Sequence, residues 1–139
     1  MKLEEFVAVS GLPGLYKMAA NRNNGLIIED LDSGKKRFAS VRKHQFTPLE
    51  SIVVFTEDED ESVELKKVFT NMLQQLTENP LPSNNAKPDE LRAYFTKVLP
   101  QHDKDQVHPS DIKKIMKWFQ FLNNRSLLSL EEGKNEEEE

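Results

Sequence analysis

The spacing of apolar side chains changes once along the chain, near residue 56. Before it, apolar and polar residues alternate in short runs, the two-residue period of strands with one buried face. The runs are FVAVS, LYKMAAN, LIIEDL, KRFASV and SIVVF. Asn24-Gly25 offers two residues that tolerate positive φ, a strong hairpin signal. Asp32-Ser33-Gly34 marks another turn, and a break at Thr47-Pro48 precedes SIVVF. Short strands joined by tight turns predict a small, strongly bent antiparallel sheet, SH3-like or partly open.

Beyond residue 61 the period is helical. Leu65, Val68, Phe69, Met72, Leu73 and Leu76 recur at i, i+3, i+4, i+7, i+8 and i+11, which predicts an amphipathic helix over 62–77 with Ser62 as N-cap. Asn79-Pro80 stops it, and PLPSNNAKP reads as a linker. Pro88 sits where a helix favours its first residue, and Leu91, Tyr94, Phe95, Val98 and Leu99 share a face up to Pro100. After the polar stretch QHDKDQVH, Pro109 opens a third helix with the stripe Ile112, Ile115, Met116, Phe119 and Leu122. The fold class is α+β: a β-rich SH3-like domain over 1–61, a helical domain over 62–123, and an acidic, disordered tail over 124–139.

Charge divides the chain in the same way. The net charge is −5, yet residues 1–47 carry 8 basic and 5 acidic side chains, and residues 48–61 carry 6 acids and no base. Overall acidity disfavours strong non-specific binding of nucleic acid, which depends on neutralising phosphates. The absence of cysteine removes disulfides, thiol catalysis and thiolate metal sites, and suits a reducing cytoplasm. No apolar run approaches the roughly 20 residues of a spanning helix, and MKLEEFVAVSG lacks the form of a signal peptide, so a soluble cytoplasmic protein is expected.

Candidate chemistry is sparse. SGLPGLYK has two glycines near a strand, but neither P-loop spacing nor three glycines opening a helix. Pro13-Gly14 has the composition of a type II turn, so the stretch is a hinge into a strand. KKRFASVRKH gathers Lys35, Lys36, Arg37, Arg42 and Lys43 with His44 and an interleaved Phe38, a candidate contact for an anionic partner or nucleic acid. Cations of this kind also serve solubility and discourage edge pairing. His102, Asp103, His108 and Asp111 match no established metal spacing; His102 reads as a surface residue in a flexible loop and His108 as a helix cap. EDEDE is a solvated acidic run rather than two carboxylates held apart in a cleft. With no nucleophile elbow either, no enzyme, metal or cofactor is expected. Lys113, Lys114 and Lys117 fall opposite the stripe of the last helix, where any soluble helix carries lysine. Trp118 and Phe121 widen that stripe, as burial in the core or against a partner would require.

SGLPGLYK, NNGLIIEDLDSGKKR, TEDEDESVELKKVF and the pairing of ELRAYFTKVLP with SDIKKIMKWF resemble a family of small uncharacterised bacterial proteins, a domain of unknown function. The resemblance spans about Leu3 to Asn123 and implies a β-rich N-terminal part and a helical C-terminal part. It implies no activity and no catalytic residues. The expectation is a non-catalytic interaction module, an adaptor or homo-oligomer. Its β lobe would contact an anionic partner through Lys35, Lys36, Arg37, Arg42 and Lys43, and its helical lobe a protein or second copy near Trp118. RNA binding through the same basic strand, with the acidic segments competing for its cations, is the alternative.

Overall fold

The computed structural model describes residues 3–130 of the chain. They divide into two compact units between Ile52 and Val53. The N-terminal unit is an antiparallel sheet of β1 (Phe6–Val9), β2 (Tyr16–Arg22), β3 (Gly25–Asp30), β4 (Lys36–Ser40) and β5 (Phe46–Pro48), followed by a single 3-10 turn at Leu49–Ser51. The strand order is β4-β3-β2-β1-β5. The sheet is open, with β4 and β5 as its two edges, rather than a closed barrel. A register slip between Met18 and Ala20 leaves an extra residue in β2, the device by which a strand bends. Val7, Val9, Ile28 and Ala39 form the buried centre of one face, with Leu12, Tyr16, Met18, Leu26 and Phe46 packed against it.

Turn chemistry accounts for most of the glycines, but not for the expected hairpin. Gly11 and Gly14 take φ of 82° and 74°, which makes the SGLPGLYK stretch a double turn from β1 into β2. Asn24-Gly25 does not supply a positive-φ pair: neither residue takes positive φ, and the two loop residues are Asn23 and Asn24. Gly25 is the first residue of β3, and its reason is steric. A Cβ there would run into the Ala39 carbonyl oxygen and lie 2.9 Å from the ring of Phe38. The glycine lets β4 lie close across β3.

The second unit begins with a hairpin. SIVVF does not add a strand to the first sheet; β6 (Val53–Phe55) pairs with β7 (Ser62–Glu64) in its own two-stranded sheet. EDEDE is the turn of that hairpin, with the Thr56 hydroxyl donating to Asp58 at 2.7 Å and the Thr56 N–H to the Glu61 carbonyl. The division of the chain therefore falls nine residues before the expected one after Glu61. Ser62 is likewise strand and not an N-cap: α1 runs over Leu65–Gln74 with Glu64 before it. The strand triplet SVE runs directly into α1 with no break between them, so no residue type marks where one period ends and the other begins.

Helices α2 (Pro88–Val98) and α3 (Pro109–Asn123) start as their prolines predict. Glu90 accepts from the Lys87 N–H and Asp111 from the His108 N–H, satisfying groups at each helix start. At the other end of α2, Asn71 of α1 and Gln75, just beyond α1, donate to the Val98 and Lys97 carbonyls at 3.1 and 3.0 Å, filling acceptors the helix cannot. Phe69 meets Phe119 edge-on at 5.7 Å between ring centres. Leu128, beyond α3, is buried, so the helical unit continues past Asn124. The acidic segment 131–139 lies outside the described residues.

His102 departs most from its reading. It is fully buried, and its main chain forms a bridge with Thr56. The Glu57 N–H donates to the Gln101 carbonyl and the Asp103 N–H to that of Phe55, so the polar connection zips onto the free edge of β6. The ring Nδ1 lies 2.8 Å from the Leu99 carbonyl, which can only accept, so Nδ1 carries the proton. Nε2 then accepts from Arg92 Nη1 at 3.1 Å, and Arg92 Nη1 also donates to the Val107 carbonyl at 2.7 Å. Asp103 next door accepts from the Gln106 side-chain amide and from the N–H groups of Asp105 and Gln106. These bonds, that from the Gln106 side chain first, hold its carboxyl below the usual range.

Two outcomes follow. Arg92→Met strands the buried His102 Nε2 and Val107 carbonyl, and urea unfolding should show a loss of about 2 kcal/mol. Asp103→Asn tests the carboxylate. Because its folded-state pKa is lowered, its contribution is present above the unfolded-state value and lost as pH falls through the folded one. The gap in urea midpoint between wild type and Asp103→Asn should be open at pH 7 and close in strong acid.

Candidate functional site

β4 and the turns that flank it place the cations. The Asp30 carboxylate accepts the N–H groups of Asp32 and Ser33, both at 2.8 Å, and Gly34 at φ 73° closes the turn into Lys35. At the other end the Ser40 carbonyl accepts from the N–H groups of Lys43 and His44, and the Ser40 hydroxyl from that of Arg42. This second turn is pinned to β1: His44 Nδ1 donates to the Ser10 carbonyl at 2.7 Å, and the Gln45 N–H donates to the Ser10 hydroxyl at 2.7 Å. Both turns are therefore built by side chains of short reach and set at fixed positions.

The five cations are all exposed, but they do not form one cluster. Lys35, Lys36 and Arg37 stand at the start of β4 and Arg42 and Lys43 beyond its end. From Lys36 to Ser40 alone the strand spans about 14 Å. Alternation divides them further. Arg37 shares a face with Ala39 and with its cross-strand partner Ile28, whereas Lys36 shares the outer face with Phe38 and Ser40. The Arg37 guanidinium lies 5.9 Å from the centre of the Tyr16 ring. Tyr16, Ile28, Asp30, Ser33 and the three cations 35–37 line a shallow groove of about 260 Å³. Phe38 is 46% exposed on the outer face, with Val41 56% exposed beside it.

The register adds what spacing along the sequence could not. The Asp30 N–H donates to the Lys35 carbonyl and the Val41 N–H to the Asn24 carbonyl, which fixes the hydrogen-bonded pairs of β3 and β4 at both ends of the ladder. Between them Arg37 and Ala39 bond to β3. Lys36, Phe38 and Ser40 turn their main-chain groups away from β3, to the open edge. A two-residue period predicts that alternate side chains share a face, but it does not say which main-chain groups face outward.

The other sequence candidates are spread through the helical unit. Trp118 and Phe121 are half-buried on α3, neither core nor free surface. The Arg125 guanidinium lies 3.6 Å from the Phe121 ring centre and donates to the Phe121 carbonyl, covering that ring. Lys113, Lys114 and Lys117 are exposed opposite the buried stripe. The carboxylates of Asp103 and Asp111 are engaged in a turn and a helix start, and among the described residues no three His, Asp or Glu side chains converge as a metal would require. No helix among the described residues is long and apolar enough to cross a membrane.

The comparisons agree with this division. Residues 3–49 match the family model of a domain of unknown function, DUF5606, and residues 52–122 match that of another, DUF6852. The junction between the matches falls where the chain divides into its two units. No curated protein matches. The chain is similar to the solution NMR structure of a structural-genomics target from Bacteroides vulgatus, with 33% identity, 92% of this chain and 90% of that one covered, and a TM-score of 0.71. With half its length under the DUF6852 model and its first sheet under DUF5606, the chain belongs to this two-part family of unknown function.

Proposed function

We propose that the protein is a non-catalytic cytoplasmic interaction module whose N-terminal sheet engages an acidic segment of a partner protein along β4. The observation that carries the reading is the exposed edge strand itself. Cations stand at both of its ends, with the half-exposed Phe38 between them. Such an edge attracts negative charge over its whole length. It offers one aromatic ring, whereas binding of single-stranded nucleic acid generally draws on several stacked bases. The cysteine-free composition supports the reducing compartment. Trp118, half-buried on α3, is a second and apolar contact for a partner or another copy.

Fluorescence anisotropy with a labelled eight-residue peptide of alternating Glu and Val, at low and moderate salt, tests the reading. Binding should weaken with salt, and Lys36→Ala/Arg42→Ala should weaken it by roughly two- to thirtyfold, as loss of two exposed ion pairs implies. An eight-residue oligouridylate is the competing probe. Binding of the RNA alone, or of neither probe at low salt, would overturn the proposal.

A further inference from the structure

The two edges of the N-terminal sheet are not equivalent. At β5 the ladder to β1 runs through the pairs Val7 with Pro48, Ala8 with Thr47 and Val9 with Phe46. The Ser10 N–H donates to the Gln45 carbonyl, so Ala8 with Thr47 is the next hydrogen-bonded pair, and Phe46 and Pro48 face the open side. Pro48 has no N–H to give. This edge is three residues long and ends in proline, two of the usual devices that blunt an edge strand. β4 is five residues long, contains no proline, and turns outward the N–H groups of Lys36, Phe38 and Ser40 and the carbonyls of Lys36 and Phe38. The Ser40 carbonyl is already taken by the turn that follows. Lys36, Arg37 and Phe38 are exposed in sequence, so the start and middle of the edge stand in the open.

We propose that β4 captures its partner by strand addition: an extended acidic segment pairs with the outward main-chain groups of Lys36, Phe38 and Ser40 and becomes the next strand of the sheet. This rests on the partner reading above and specifies its mode. Main-chain bonds supply the alignment, as in other cases where a peptide extends a sheet edge. The charges select the strand. Lysines on an edge ordinarily prevent association, and here they do so against this chain's own kind. Two β4 strands meeting antiparallel would set Lys35, Lys36 and Arg37 of one copy beside Arg42 and Lys43 of the other. An acidic strand meets attraction at both ends instead. Phe38, on the outer face, gives the added strand an apolar side chain to pack on.

Two peptides of equal charge and one main-chain deletion separate strand pairing from charge attraction alone. Alternating Glu-Val, eight residues long and blocked at both ends, can pair as a strand. Alternating Glu-Pro of the same length carries the same charge, but its prolines fix φ near about −65° at every second residue and hold the chain near polyproline II, whose main-chain groups do not line up on one side as a ladder requires. On the protein, Phe38→Pro removes the ring and the outward N–H, while Phe38→Ala removes the ring only. An outward-facing position is the kind at which an edge strand accepts proline.

Anisotropy should show Glu-Val binding at least tenfold more tightly than Glu-Pro. Phe38→Ala should cost less than about fivefold, and Phe38→Pro tenfold or more. On wild-type protein, where folding of a variant is not at issue, hydrogen exchange by NMR should show the Lys36, Phe38 and Ser40 amides slowing when Glu-Val is added and not when Glu-Pro is. Equal binding of the two peptides, or unchanged exchange at Lys36 and Phe38 with Glu-Val bound, overturns strand addition while leaving the cationic contact standing. If Lys36→Ala/Arg42→Ala binds Glu-Val as wild type does, the partner reading itself fails.

Discussion

The pairing of β4 with β3 is the constraint on which the functional reading depends. With Ile28 opposite Arg37 and Leu26 opposite Ala39, one alternate set of β4 residues closes the buried face and bonds to β3. The other set receives the solvent face and the open edge. A shift of one residue would exchange the two sets, put Lys36 and Phe38 over the core and expose Ala39. Gly25 suits that register, because a Cβ there would collide with the Ala39 carbonyl oxygen and crowd the Phe38 ring. The turns at Asp30–Lys35 and Ser40–Gln45 hold the strand from both ends.

The helical unit is stabilised by a different means. Its helices share an apolar centre, but their ends and connections are completed by side chains from elsewhere in the unit. Asn71 and Gln75 finish α2, and the chain around His102 finishes the β6–β7 hairpin. The Arg92–His102 contact is buried polar chemistry with every partner supplied, which is the condition under which such a group can sit in a core. It is a joint between a helix, a loop and a strand, and nothing about it calls for a substrate.

Much of this was legible in the sequence. The change from a two-residue to a 3.6-residue period separates sheet from helices, and Pro88 and Pro109 mark helix starts to the residue. The SGLPGLYK turn was legible because positive φ and proline leave few options. Pairing was not. Val53–Phe55 has the same alternation as the strands before it, so only three-dimensional contact assigns it to the second unit. His102 lies among polar residues, and its burial follows from a bridge to Thr56, 46 positions earlier. The basic stretch looked like one patch because it is short in sequence, but an extended strand spreads it. The feature that distinguishes β4, its outward main-chain groups, is a property of register and is carried by no residue type.

Amide hydrogen exchange in the free protein tests the central claim most directly. If β4 is an open edge in this register, Arg37, Ala39 and Val41 exchange slowly, while Lys36 and Phe38, alternating with them, exchange near the rate of unstructured chain. Protection at all five positions would mean that the edge is already paired or covered, and would contradict the account. Protection of Lys36 and Phe38 in place of Arg37 and Ala39 would show the register itself to be wrong.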